Sequence, residues 1–251
     1  MPLPISRTAL DRLGKRLSQP DAATEDDYAQ LSQVLRVYEL ALSTVRNQLE
    51  ASGFEVANRL KTTGTLVEKL RRERGMKLTR VQDVAGARIT IAGTRADQDE
   101  AVARIIGRIT GGVRPAQIRD RRHQPSSGYR AVHVILFPGN LPVEVQVRTE
   151  LQHVWAQLFE QLGDVWGRDI RYGGQPSQPD AVAIPGEAGP SRAAVVAAMH
   201  SMSDVIHRFE ISELQSSSGA VDLAVEKAGL LLLLRSTVQL VQQSVGAGRE
   251  A

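Results

Sequence analysis

Two carboxylates stand out by their surroundings. Asp83 lies in VQDVAGARITI (residues 81–91) and Glu144 in VEVQVRT (143–149), two strand-like segments set among basic residues. Between them runs SSGYRAVH (126–133). Two acids far apart in the chain that can share a metal ion, in a field of Arg and Lys, suit transfer of a phosphate-containing group. The cations are concentrated. Arg59, Lys61, Lys69, Arg71, Arg72, Arg74, Lys77, Arg80 and Arg88 crowd one stretch, and Arg114, Arg119, Arg121, Arg122 and Arg130 another. Where they flank the acid-bearing strands they suit a polyphosphate cradle. The run Arg71–Arg74 reads equally well as a solvated helix face.

Strand parity sorts the residues further. Alternate side chains of a strand share a face. Val143, Val145 and Val147 therefore point to a core, and Glu144, Gln146 and Arg148 to the opposite face, whose ordinary fate is solvent. Arg88 shares parity with Thr90, while Ile89 and Ile91 take the core side. Gly86 allows a close backbone approach. In the third segment Tyr129, Ala131 and His133 read as one strand face. Tyr129 follows a Gly-containing turn, a position from which an aromatic ring can stack on a base.

The elements that position these groups follow from periodicity. Apolar residues at helical spacing predict helices over 5–18, 26–51, 65–74, 95–109, 150–168, 192–214 and 219–245. Extended segments are expected at 55–61, 87–92, 113–120, 129–137 and 141–148. Pro138-Gly139-Asn140 predicts a hairpin turn between the last two. Residues 173–191 are rich in Gly, Pro and Ser and read as a loop or linker. The order predicts a mixed sheet of four or five strands flanked by helices, an α/β or α+β architecture. Its expected organisation is N-terminal helices over 1–54, a catalytic domain over 55–172, the linker, and C-terminal helices over 192–251.

Composition narrows the class. At 251 residues and 42% hydrophobic the chain can bury a sizeable core, and with 4% aromatics that core is mostly aliphatic. It has no cysteine, which excludes disulfides and Cys-based metal or nucleophile chemistry. A net charge of +3 is too small to mark a nucleic-acid binder by itself. No secretory signal and no membrane-length apolar run is visible, so a soluble cytoplasmic protein is expected.

Taken together and in this order, RLK (59–61), DVAGARI (83–89), SGYRAVH (127–133) and VEVQVRTELQHVWAQL (143–158) resemble the RelA/SpoT-type (p)ppGpp synthetase family, over about Asn58 to Asp164. The resemblance implies an α+β fold, a nucleotidyltransferase-like mixed sheet of about five strands with helical extensions at both ends. It also implies a reaction: the pyrophosphate of ATP moves to the 3′-hydroxyl of GDP or GTP and AMP leaves. Carried over residue by residue, Asp83 and Glu144 are the catalytic, Mg²⁺-binding acids, with Glu144 alternatively taking the hydroxyl proton. Arg59, Lys61 and Arg88 grip ATP. Tyr129 stacks on the acceptor guanine, and His133 and Gln146 contact the acceptor. Lys69, Arg148 and His153 are secondary candidates, and Trp155 is simplest as core.

The sequence departs from the family in one loop. Many members carry Pro-Lys-x-Asn-Gly-Tyr where this chain has Pro125-Ser126-Ser127-Gly128-Tyr129. Arg121, Arg122 or Arg130 are candidates to replace the missing lysine. The departure keeps two alternatives open: the same transfer to another acceptor, a tRNA 3′ end or an adenosine nucleotide, or a non-catalytic nucleotide-binding module. The chain lacks the His-Asp dipeptide of the family's hydrolase domain, and reads as a small stand-alone synthetase. His200 and His207 read as surface or interface residues, and the terminal helices as a surface for homo-oligomerisation.

Overall fold

Thr24 starts the longest helix of the N-terminal part by a reciprocal cap. Its hydroxyl accepts from the Asp27 N–H, and the Asp27 carboxylate accepts from the Thr24 N–H, both at 3.2 Å. From there Leu31, Leu35, Tyr38, Leu42, Val45 and Leu49 recur on one buried face of α2 (Glu25–Ala51). Asp27 also pairs with Arg16 at 2.7 Å, tying α2 to α1 (Arg7–Leu17). Gly53, at φ +83°, ends the segment in a conformation few other residues adopt.

The computed structural model describes residues 2–19, 21–109, 112, 114–177, 189–215 and 220–247, the last helix partly by backbone alone. After α2 come β1 (Ala57–Leu60), α3 (Thr63–Arg72), β2 (Ala85–Ile91), α4 (Arg95–Arg108), β3 (Gln117–Asp120), β4 (Val132–Leu136), β5 (Val143–Thr149), α5 (Glu150–Trp166), α6 (Arg192–Gln215) and α7 (Ala220–Ala247). The five strands form one mixed sheet in the order β1-β2-β5-β4-β3. The fold is α+β, as the sequence predicts. β1 and β2 are antiparallel, with Arg59 opposite Gly86 and Ala57 opposite Arg88. β4 and β5 are neighbours joined by residues 137–142, too few for a parallel crossover, so they form the predicted hairpin. Asn140, at φ +67°, donates to the Phe137 carbonyl at 3.2 Å in its turn.

The chain divides into two compact units. The first comprises residues 1–89, 101–119 and 133–147; the second, 90–100, 120–132 and 148–251. In the first, Leu10, Leu13 and Leu17 of α1, the α2 face, and Leu66 and Leu70 of α3 make the helical side of the core. Val143, Val145 and Val147 are fully buried on the sheet side. In the second, α5 packs on α6 and α7 through Leu151, Trp155, Leu158, Phe159, Leu162, Ile206, Phe209 and Leu234.

Three expectations need correction. Tyr129 is not on a strand: β4 begins at Val132. Ser127 and Gly128 both have positive φ (50° and 79°), and the Tyr129 N–H closes the turn on the Ser126 carbonyl at 3.0 Å. β3 is shorter than expected and starts at Gln117. The face of β5 opposite the valines is not solvated, since Glu144 and Arg148 are buried and Gln146 is half-buried. His200 and His207, expected as surface or interface residues, are both half-buried, with rings beside Phe159 and His123. Most of the expected linker, 178–188, lies outside the described residues. No helix among the described residues is long and apolar enough to cross a membrane.

Candidate active site

The β1–β2 ladder continues one step past Leu60, where the Lys61 N–H donates to the Val84 carbonyl at 2.9 Å. That step brings the Lys61 side chain to Asp83, Nζ to Oδ2 at 3.3 Å. Lys69, from α3, meets the other oxygen of the same carboxylate at 2.9 Å. Asp83 is thus held between two ammonium groups, with 30% of its side chain still open to solvent. Burial pulls the Lys61 pKa below the ordinary lysine value; Asp83 opposes this, and Lys69 and Arg59 reinforce it.

Glu144 sits two strands away from β1 in the same unit. His133 Nδ1 of β4 lies 3.2 Å from its Oε2, and the Gln146 amide donates to its Oε1 at 2.8 Å. Burial works to raise the pKa of Glu144. The His133 contact, His133 charge, the Gln146 hydrogen bond and Lys69 together outweigh it and bring the group from 4.5 down to about 2. Lys69 therefore acts electrostatically on both acids. Arg59 and Arg88 lie with Gly86 on one face of the β1–β2 pair, as the register requires. A Cβ at Gly86 would meet only the Glu144 and Arg59 carbonyl oxygens, at 3.4 and 3.6 Å, so no protein group demands a glycine there.

The structure thus gathers Arg59, Lys61, Asp83, Arg88, His133, Glu144 and Gln146 into one unit, and promotes Lys69 from a secondary candidate to a direct partner of Asp83. Among the described residues no three His, Asp or Glu side chains form a metal-binding cluster.

Tyr129 belongs to the other unit, where its surroundings are well defined. Arg148, 1% exposed, donates to its hydroxyl at 2.9 Å and places its guanidinium 4.8 Å from the ring centroid. The turn that carries Tyr129 is fastened by α6. Ser203 donates to the Gly128 carbonyl at 2.5 Å and accepts from Arg130 Nε at 3.0 Å. Arg130 also pairs with Asp204 at 2.6 Å and donates to the Arg122 carbonyl. Arg122 is spent on Asp120 and Asp99, each at 2.7 Å, and on Gln98 at 3.2 Å. Of the three arginines offered as replacements for the missing lysine, two are buried in fixed pairs and Arg121 is not. Trp155 is core, as expected: its indole N–H donates to the Met199 carbonyl at 2.7 Å and its ring stacks on Phe159. His207 lies 3.2 Å from Arg95 and edge-on to His123, and burial, helped by Arg130 and Arg95, pulls its pKa to about 4.

Ser203 and Asp204 carry no sequence signal that ties them to a turn some 75 residues away. Another such contact is buried. β5 passes into α5 without a loop, Thr149 capping the helix by accepting from the Gln152 N–H at 3.2 Å. The same hydroxyl donates to Glu210 of α6 at 2.5 Å, and the Gln152 amide donates to that carboxylate at 2.9 Å.

Comparison with known proteins agrees with this frame. A family model described as "Region found in RelA / SpoT proteins" matches residues 58–162. Uncharacterized proteins of Mycobacterium tuberculosis and Mycobacterium bovis are each 36% identical over 189 residues, covering 73% of this chain and 68% of theirs. The crystal structure of small alarmone synthetase 1 from Bacillus subtilis superposes with a TM-score of 0.54 at 20% identity, over 74% of this chain and 96% of that one. The same synthetase bound to its product pppGpp gives 0.53 at 21% identity, over the same shares of the two chains. These two share the fold; the sequence matches add the lineage, and the chain belongs to the RelA/SpoT family.

Proposed function

We propose that this protein is a Mg²⁺-dependent pyrophosphokinase that transfers the pyrophosphate of ATP to the 3′-hydroxyl of GDP or GTP, releasing AMP. The observation that carries the reading is the pair of acids in one unit, each with its own cationic or hydrogen-bonding partners: Lys61–Asp83–Lys69 and His133–Glu144–Gln146. The acceptor oxygen attacks the β-phosphorus, the bond from that phosphorus to the α–β bridging oxygen breaks, and the hydroxyl proton is lost. Asp83 and Glu144 are hard oxygen donors that fit Mg²⁺, which is commonly held by one or two carboxylates plus water and substrate phosphates. The ion, when bound, neutralises phosphate charge.

The chain's own groups do the rest. Arg59, Lys61 and Arg88 hold the ATP phosphates, and Lys69 holds Asp83 in place through their 2.9 Å ion pair. Glu144, held near 2, is a weak base toward a free alcohol. Its part is to accept the hydroxyl's hydrogen bond and orient it, the proton leaving late, as the new O–P bond acidifies it. Tyr129 offers the ring on which the acceptor base stacks, steadied by Arg148. His133 and Gln146 complete the acceptor contacts. Free nucleotide substrates fit a cytoplasmic protein.

A second reading, the same transfer to a tRNA 3′ end or an adenosine nucleotide, is favoured by one observation. With Arg122 and Arg130 committed to Asp120, Asp99, Ser203 and Asp204, the turn has fewer cations for the 5′-phosphates of a guanosine nucleotide. One experiment separates the readings. The protein is incubated with γ-labelled ATP, Mg²⁺ and, in turn, GDP, GTP, an adenosine nucleotide or tRNA. Equal amounts of AMP and a 3′-pyrophosphorylated guanosine nucleotide are expected. Label moving only to tRNA or adenosine would replace the first reading by the second, and ATP binding with no transfer to any acceptor would end both.

A further inference from the structure

The first unit contains a cleft of about 380 Å³ that none of the candidate active-site residues lines. Every charged side chain on its wall is an arginine: Arg7 of α1, Arg80 of the short turn Leu78–Arg80, Arg114, and Arg119 of β3. None of the four makes an ion pair among the described residues. Arg114 is placed over the buried Phe137 ring, 3.9 Å from its centroid. Tyr38 of α2 also lines the cleft. It is 3% exposed, and its hydroxyl has no hydrogen-bond partner among the described residues. Burial pushes its pKa up to about 12, against the charge of Arg7, so it remains an O–H donor at any ordinary pH.

Among the described residues, four guanidinium groups line this cleft without a counter-charge, and the Tyr38 hydroxyl is a donor at its wall with no protein acceptor. A multiply charged anion supplies both. Guanidinium groups match phosphate oxygens by their forked donors. The volume falls in the range of small-molecule sites, roughly 300–1,000 Å³. Phe137 and the adjoining apolar wall leave a place for an organic portion.

We propose that this cleft binds a polyphosphorylated small molecule, its phosphates on Arg7, Arg80, Arg114 and Arg119 and one oxygen accepting from the Tyr38 hydroxyl. The site is additional to the proposed catalytic one and does not depend on it.

The test is calorimetric titration of inorganic tripolyphosphate into the full chain. Four proteins are compared: wild type, Arg80→Gln/Arg114→Gln, Tyr38→Phe, and Arg59→Gln/Lys61→Gln. The last removes cations of the candidate active site, a second place where a polyphosphate can bind. It is expected to keep the cleft's binding unchanged. The Arg80/Arg114 variant is expected to lose that component by about tenfold or more, two charged hydrogen-bond donors being gone, and Tyr38→Phe to weaken it several-fold. Should the double variant not fold, Arg119→Gln serves in its place. Isotherms of the cleft variants matching wild type, or loss of all binding in Arg59→Gln/Lys61→Gln, would overturn the proposal. Neither result bears on whether pyrophosphate is transferred, which the product assay decides.

Discussion

Glu144→Gln is expected to lower formation of the 3′-pyrophosphorylated product by roughly two to four powers of ten, with the fold intact. The substitution keeps the side chain's shape and a carbonyl that still accepts from Gln146. It removes the charge that His133 and Lys69 attend. Asp83→Asn should be as damaging for another reason: Lys61 and Lys69, now 3.3 and 2.9 Å from a neutral oxygen or amide, are left repelling each other. The pH behaviour separates Glu144's orienting role from that of a base. Its folded pKa is depressed from 4.5 to about 2. Its stabilising contribution is therefore full above its unfolded value and lost as pH falls through the folded one. Across neutral pH it is always ionised and should produce no acid limb in the rate profile. The measurement is kcat/KM against pH for wild type, and single-pH activity with a circular-dichroism spectrum for each variant. Wild-type rates in both variants would remove the acids from the mechanism, and a neutral-pH limb that disappears in Glu144→Gln would restore the base.

Gly128→Ala should cost about 2–4 kcal/mol, the sum of a left-handed backbone and an overfilled contact. At φ +79° an alanine is strained by itself. Its Cβ would also lie 2.7 and 2.9 Å from two carbons of the Trp155 ring and 3.3 Å from His200. The tryptophan cannot retreat, being 2% exposed, bonded to the Met199 carbonyl and stacked on Phe159 with centroids 4.8 Å apart. For a chain of this size the melting temperature should fall by roughly 5–15 °C. The turn should also shift, taking Tyr129 with it, so the acceptor KM rises while the ATP KM holds. Ser203→Ala is the milder companion, losing the bonds to Gly128 and Arg130 but adding no clash. Scanning calorimetry and the two KM values check both. A Gly128→Ala melting point within a degree of wild type would show that the turn does not need glycine.

Much of the architecture was legible because its signals are local. The valines of β5 alternate, the α2 apolar residues recur at helical spacing, and Pro138-Gly139-Asn140 punctuates the hairpin. Alternation gives parity, however, and not what covers each face, so a face read as solvated proved to hold a buried Glu144 and Arg148. Tyr129, Ala131 and His133 alternate by coincidence: two consecutive positive φ angles at Ser127 and Gly128 break the strand before it begins. The acid-bearing segments and their basic neighbours could be named from the chain. That Lys69 pairs with Asp83, 14 residues on, and that α6 fastens the Tyr129 turn could not, because nothing periodic links such positions. Arginine is the hardest residue to read in this way. Arg121, Arg122 and Arg130 look alike in one dimension, and only burial tells those committed to Asp99, Asp120 and Asp204 from the one that is not.

That division of the arginines sets out where acceptor choice can be re-engineered. Arg122 and Arg130 each use several donors of one planar fork, which lysine cannot reproduce. A saturation library over residues 121–130, scored for folded protein, should therefore reject even lysine at those two positions while accepting broad replacement at Arg121 and Ser126. Ser127, at φ +50°, should admit chiefly Gly, Asn and Asp. Free exchange at Arg122 and Arg130 would mean the scaffold beneath the turn is softer than its bonds suggest. Otherwise, designers seeking a new nucleophile for this transfer have two open positions and one restricted one to work with.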